Sequence, residues 1–307
     1  MFSTALYAVN FGERFDESVD CFAGFATKLG LKEIVLMHVI DINKLQHSLY
    51  SRYNKEDEGR IKEIAERKLE KIKKDIEKYN IRVTHKIRVG DIADEIVNGA
   101  NEWNADFIVL DKKTSGKIQS FVAFYGSPIY EILVKSNKPI LIAKRNLKYF
   151  SNLSKNNNEG NFDCKNLLDN VLFATDFSDS SLKAVPFLNH ISLGIKKMTL
   201  LTVSEKKTID NLNEKYSNTF GSEIAGKFEN IMQNFEYKFT KEKSNLETVI
   251  KNGVPCIEIN DFIIQTRKTL LVIGFKGRDK ENLKEIFLGS VAERMISALP
   301  CSIFIVK

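Results

Sequence analysis

The sequence predicts an α/β protein of two tandem, doubly wound domains, each a five-stranded parallel sheet with helices on both faces. Three observations carry this expectation. Short apolar runs rich in Val, Ile and Leu alternate with helical patterns, the order that yields parallel strands joined by crossover helices. The runs lack strict polar alternation, as strands covered on both faces do. The programme is also written twice: Gly90 and Gly253, Asp111 and Gly274, and Gly126 and Gly289 are each 163 residues apart. A period that long marks a duplicated domain and not a solenoid.

The first copy is expected over residues 1–145, a linker over 146–166, and the second copy over 167–307. Ala5–Val9 is the first strand, closed by Asn10-Phe11-Gly12. Glu17–Leu29 carries Val19, Phe22, Ala23, Ala26 and Leu29 on one helical face, and Gly30 suits the end of that helix. Glu33–Ile40 is a buried strand, followed by an excursion over 41–53. Asn54–Tyr79 is a long charged helix whose apolar stripe is Ile61, Ile64, Ala65, Leu69, Ile72 and Ile76. Ile81–Val89 alternates as a strand, Gly90-Asp91 leads a helix through Ala100, and Asp106–Leu110 is buried strand again. Gly126-Ser127-Pro128 opens the next helix, with proline suited to its first turn, and Pro139–Ala143 closes the copy.

The run Asn156–Asn161 has no apolar content and reads as linker. The second copy then repeats the first. Its strands are Val171–Asp176, Met198–Val203, Glu247–Lys251, Leu270–Gly274 and Ser302–Val306, with a helix starting at Gly289-Ser290. In sheets of this kind ligands lie outside the carboxyl ends of the strands, where the strand order reverses.

Composition excludes several classes. At 307 residues, 43% hydrophobic and 28% charged, the chain is an ordinary globular one. A net charge of +6 permits an anionic ligand but shows no clustered basic stripe, so no nucleic-acid partner is expected. The basic run Arg67–Lys78 is interleaved with Glu70, Asp75 and Glu77, comes after Glu66, and reads as a solvated helix face. No run approaches the roughly 18 apolar residues of a membrane span. Glu13, Arg14 and Asp16 interrupt the place of a signal-peptide core, so a cytoplasmic protein is expected. Cys21, Cys164, Cys256 and Cys301 are scattered, and His38, His47, His85 and His190 show no ligand spacing. No metal site is expected from them.

The stretch from Leu270 to Ala292 combines an apolar strand, Gly274, Gly277, a charged loop and Gly289-Ser290 at a helix start. Glycines allow close approach to an anion, and a helix start offers unpaired N–H groups. Each part has a plainer rival. Gly274 can serve a tight turn, Ser290 can be a simple cap, Asp176 can cap the next helix, and the loop lysines can be solvated.

The residues Phe173-Ala174-Thr175-Asp176-Phe177-Ser178, Leu200-Leu201-Thr202-Val203, Gly253-Val254-Pro255 with Glu258-Ile259, Gly274-x-x-Gly277, Gly289-Ser290-Val291-Ala292-Glu293-Arg294 and Pro300-Cys301 together resemble the universal stress protein family. The chain looks like two UspA-type, Rossmann-like domains in tandem. ATP-binding members carry Gly, two residues, Gly, nine residues, then Gly-Ser; here the last interval holds eleven, Arg278 to Leu288. The resemblance implies that Asp176, flanked by Thr175, accepts hydrogen bonds from the adenine side. Val203 supplies backbone contacts to the base, and Gly274 and Gly277 pass close to ribose and phosphate. Gly289, Ser290 and Val291 form the phosphate-side turn, with Lys276, Arg278, Lys280 and Lys284 available to add charge. The implied cofactor is ATP, with Mg²⁺ able to accompany it.

In the first copy Asn10 stands for the aspartate, Asp111 for the first glycine and Thr114 for the second; Gly126-Ser127 survives. That copy is expected to be a degenerate scaffold, giving one nucleotide per chain. No nucleophile–base pair stands out, so a binding or switch protein is expected, with slow ATP hydrolysis or a nucleotide-independent interaction module as alternatives. The strands Pro139–Lys144 and Ser302–Lys307 are expected to pair the two halves as a pseudo-two-fold dimer, and a homodimer of whole chains is compatible with the same edges.

Overall fold

The computed structural model describes residues 2–11, 15–41, 55–112, 127–144, 167–204, 226–227, 230, 245–276, 288–298 and 301–307. The chain divides into two compact units, the first built on residues up to Arg145 and the second on residues from Asn166 onward. The expected excursion at 41–53, the linker at 146–166, Gly126 and Gly277 lie wholly or almost wholly outside the described residues.

The first unit runs β1 (Thr4–Ala8), α1 (Phe15–Leu29), β2 (Glu33–Asp41), α2 (Lys55–Glu77), β3 (Arg82–Gly90), α3 (Ile92–Glu102), β4 (Phe107–Lys112), α4 (Pro128–Lys135) and β5 (Ile140–Lys144). Its strands lie in the order β3-β2-β1-β4-β5, with every neighbouring pair parallel. The second unit runs β6 (Asn170–Ala174), α5 (Asp179–Leu182), α6 (Ala184–Ile191), β7 (Lys197–Ser204), β8 (Leu246–Asn252), α7 (Pro255–Thr266), β9 (Leu270–Gly274), α8 (Ser290–Ala298) and β10 (Ser302–Val306). Its order, β8-β7-β6-β9-β10, is again all parallel. In each unit the first strand has the second on one side and the fourth on the other. That reversal of strand order opens a crevice at the carboxyl ends.

Local chemistry sets the helix ends. Gly30, at φ 70°, takes the left-handed conformation that closes α1. Asp91 caps α3 by accepting from the N–H groups of Ala93 and Asp94, both at 3.0 Å. Burial then selects faces. Val19, Phe22, Ala23, Ala26 and Leu29 of α1 are buried as expected. The stripe on α2 is narrower than its sequence indicates: Ala65, Leu69, Ile72 and Ile76 are buried, but Ile64 is 48% exposed. Ile64 lies just off the centre of a face that only the inner positions can bury. In the second unit Leu270, Leu271 and Val272 are wholly inaccessible, and Phe187 stacks on Phe304 of β10 with centroids 3.7 Å apart.

One charged group is enclosed at the amino-terminal end of the second sheet. Lys268 is 1% exposed and donates from Nζ to Asn170 Oδ1 at 2.8 Å and to Thr199 Oγ1 at 2.5 Å. Burial first, and then the charge of Lys197, lower its amine to about 8, against the opposing pull of Glu247 and Cys301. The folded value lies below the ordinary 10.5. The cost of carrying the buried charge is therefore full below pH 8 and is relieved as pH rises from 8 to 10.5. Stability of the wild type should rise across that window relative to Lys268→Met, as measured by chemical denaturation at stepped pH. Parallel curves for the two proteins would contradict the assignment.

Candidate functional site

The crevice of the second unit is framed by the turns after β6 and β9 and by the start of α8. After β6, which pairs Ala174 with Leu201, the Thr175 N–H donates to the Leu201 carbonyl at 2.9 Å. Asp176 and Val203 each lie two residues beyond that last pair, at the same end of the sheet. Both are half-buried.

The candidate residues after β6 are bound into a tight serine-rich turn. Thr175 is buried; its Oγ1 lies 2.9 Å from Ser181 Oγ and accepts from the Phe177 N–H at 2.9 Å. Asp176 does not cap the next helix directly. Its Oδ1 accepts from the Ser178 N–H at 3.1 Å and from the Ser178 hydroxyl at 2.6 Å, an Asx turn with a charge-assisted bond. Ser178 is the cap of α5, its Oγ accepting from the Ser181 N–H at 3.3 Å. Between them Phe177 is held at φ 60°, uncommon for a bulky side chain. The sequence names Ser178 only as part of the family motif and gives no role to Ser180 or Ser181; the spacing of an N-cap serine before a short helix is the signal for them.

Gly274 has a definite steric reason. A Cβ there would lie 2.8 Å from both Cα and N of Ser181 and 2.9 Å from the Ser180 carbonyl carbon. All three are backbone atoms that cannot swing aside. The space that a side chain would take is thus filled by the chain's own α5. Just beyond, the Lys276 N–H donates to Ser180 Oγ at 3.1 Å.

The start of α8 is set by Phe275. Its carbonyl accepts from the Gly289 N–H at 2.9 Å, and the Gly289 carbonyl accepts the first helical bond, from Glu293, at 2.9 Å. Gly289 is therefore occupied as a donor and acts as the residue before the helix. Ser290, Val291 and Ala292 are the first three members of the helix, and among the described residues none of their N–H groups meets an acceptor. Ser290 is exposed and Val291 half-buried. The N–H row and dipole of a nine-residue helix thus open at the reversal of strand order. Beside them, Lys307 Nζ stands 3.3 Å from the centroid of the Phe275 ring. Burial, then repulsion from Lys276, lowers the Lys307 amine to about 7.

The first unit has the same frame with different contents. The Val9 N–H donates to the Met37 carbonyl at 2.7 Å, as Thr175 does to Leu201. Asp111, at the position of Gly274, accepts from the buried Tyr7 hydroxyl at 2.8 Å. Phe11 packs on His38, with ring centroids 4.4 Å apart, and Lys68 Nζ lies 5.0 Å from the Phe11 centroid. Burial, and to a lesser degree Lys68, lowers the His38 imidazole against the hydrogen bond from Nδ1 to the Val9 carbonyl. Ser127 caps α4 itself, accepting from the Tyr130 N–H at 3.3 Å, and Pro128 removes the first N–H.

The fold and this site define a tandem, doubly wound α/β protein in whose second half a helix starts without a side-chain cap among the described residues. The family model described as the Universal stress protein family matches residues 1–144 and 168–307, and the chain belongs to that family. Universal stress protein MJ0577 of Methanocaldococcus jannaschii is 29% identical over 159 residues, which is 47% of this chain and 96% of that protein. Universal stress protein YxiE of Bacillus subtilis is 26% identical over 150 residues, 46% of this chain and all of that protein. A universal stress protein from Archaeoglobus fulgidus matches at a TM-score of 0.67 and 21% identity, covering 99% of this chain and 98% of the other. That likeness extends the shared fold over both halves.

Replacing Gly274 with alanine should destabilise the protein by about 1–3 kcal/mol, because the added methyl displaces backbone. Gly90→Ala is the control, since the nearest atoms to a Cβ there belong to the Glu95 side chain, at 2.9 Å and beyond, and not to backbone. Thermal denaturation of the two variants should separate them, and equal losses would count against the backbone contact.

Proposed function

We propose that the second unit binds an adenine nucleotide, ATP with Mg²⁺ accompanying its phosphates, and that the protein acts as a stress-response binding or switch protein rather than a rapid catalyst. The observation that supports this most is the open start of α8, where the N–H groups of Ser290, Val291 and Ala292 lack an acceptor among the described residues. In this reading those N–H groups and the Ser290 hydroxyl receive the phosphates, and Lys276 adds positive charge. Asp176 accepts from the adenine side, Val203 borders the base with its backbone, and Gly277 passes near ribose and phosphate. Gly274 acts through the frame, by admitting the Ser181 backbone. Thr175 likewise holds the turn and leaves direct contact to Asp176.

Among the described residues the first unit presents a different chemistry. Pro128 has no N–H to offer, the Ser127 Oγ accepts from the Tyr130 N–H of its own helix, and Asp111 sets a carboxylate at the strand end. One nucleotide per chain is therefore expected in calorimetric titration with ATP. Ser290→Pro is the sharpest variant. Proline is well tolerated at the first helical position, so the helix is kept while a donor and the hydroxyl are removed. Its ATP affinity should fall at least about ten-fold, a loss of roughly 1.4 kcal/mol. A stoichiometry near two, or unchanged affinity in Ser290→Pro, would overturn the assignment. Protein that carries no nucleotide through purification and shows no thermal shift with ATP would favour a nucleotide-independent interaction module.

Lys307 gives an independent readout. Its amine sits near 7, held down by burial and by Lys276. A polyphosphate beside Lys276 offsets that repulsion and raises the amine, so binding takes up a proton and tightens as pH falls toward 7. Calorimetry at pH 7.5–8 in buffers of different ionisation enthalpy should detect the uptake (about neutral pH is where an amine near 7 titrates). It should vanish in Lys307→Met, and persistence there would reject Lys307 as its source.

A further inference from the structure

Away from the crevice, three ligand-bearing side chains of the first unit converge. Glu66 and Glu70 lie one turn apart on α2, so their carboxylates leave the same face of the helix. His85 reaches them from β3. Its Nε2 lies 2.6 Å from Glu66 Oε1 and 3.8 Å from Glu70 Oε1. One donor atom from each of the three falls within 4.8 Å of the others.

We propose that Glu66, Glu70 and His85 form a surface site for a divalent first-row transition cation, with Zn²⁺ as the ion it takes most readily. A tetrahedral ion bound at about 2.1 Å sets its ligand atoms roughly 3.4 Å apart. The two distances from His85 Nε2 bracket that value. Two carboxylates and a neutral imidazole carry a charge that a divalent ion matches. One nitrogen with two oxygens suits zinc and its neighbours better than the all-oxygen sets of calcium and magnesium. Three protein ligands leave a position for water.

The partners of the surrounding acids point the same way. Along α2, Glu58 pairs with Lys62 at 2.5 Å, Glu63 with Arg67 at 3.6 Å and Asp75 with Lys78 at 2.6 Å. Glu66 and Glu70 have no lysine or arginine partner among the described residues, although the helix is rich in lysine; both face His85 alone. A neutral imidazole has one N–H and serves only one of the two carboxylates. A divalent ion neutralises both carboxylates at once and takes the Nε2 lone pair. The imidazole is fixed, its side chain only 12% exposed, while the carboxylates are 53% and 44% exposed, so an ion can enter.

The test uses the full chain, stripped with chelator and titrated with ZnCl₂ by calorimetry. Visible absorption of the Co²⁺ form reports tetrahedral coordination. The wild type should show a zinc event that Glu70→Gln and His85→Ala weaken at least about ten-fold, with far-UV circular dichroism unchanged. Glu66→Gln, at the most exposed of the three positions, gives the same comparison should His85→Ala fail to fold. Zinc should also raise the thermal midpoint of the wild type and leave that of Glu70→Gln in place. Cys256 and Cys301 form no disulfide and are common to all these proteins, so any zinc they take appears equally in each. Identical titrations for wild type and variants, or no zinc uptake by the wild type, would overturn the proposal.

Discussion

The backbone of Ser181 lies where a side chain at position 274 would have to be. Much of the second unit's crevice depends on that contact. It lets the short α5 press against the end of β9. This in turn brings Ser180 Oγ to the Lys276 N–H and Ser181 Oγ to Thr175 Oγ1. Two turns on opposite sides of the strand-order reversal are thereby tied together. The next residue along, Phe275, fixes the third element by accepting the Gly289 N–H, which aims the start of α8. Backbone contact and short hydroxyl bonds make this frame, and among the described residues they leave the N–H row at the start of α8 without an acceptor.

The two copies separate what the fold needs from what the site adds. Both keep the parallel order and the bond from the residue after the first strand to the second. Beyond that frame they diverge. Where the second copy has Gly274 against a helix backbone, the first has Asp111 bonded to Tyr7. Where the second leaves α8 open, the first closes α4 with Ser127 and Pro128. Where Asp176 anchors a turn the first copy has Asn10, and the next residue, Phe11, packs on His38. At α4 the Ser127 cap satisfies locally an N–H of the kind that α8 leaves to its surroundings. Capping a helix and hydrogen-bonding a carboxylate are both favourable, so these differences are compatible with the same stable frame. The first copy's own polar convergence, at Glu66, Glu70 and His85, lies on a different part of that unit, between α2 and β3.

Legibility differed between fold and site. The strands Leu270–Gly274 and Ser302–Val306 were read to the residue, and most others to within one or two. The α2 stripe was read too wide, because a helical period places Ile64 near the apolar face but does not say how much of that face another element covers. Gly274 and Gly289 were found, but their immediate partners were not. A glycine in sequence shows that close approach is allowed, and it does not name the approaching chain. The i, i+4 pair Glu66 and Glu70 looked like part of a solvated run, since His85 is far from both in sequence and meets them only across α2 and β3.

By itself the sequence determined the features set by local periodicity and by repetition: two copies, strands covered on both faces, helix starts at Ser127 and Ser290, and family membership carried by motifs. These depend on residues near one another in the chain or on one copy compared with the other. Tertiary structure decided which groups are already satisfied. The Asp176 carboxylate holds Ser178, the Gly289 N–H is taken by Phe275, and Ser127 is spent on its own helix. A hydrogen bond is made over about 3 Å, and only the folded chain brings most of these partners within that range.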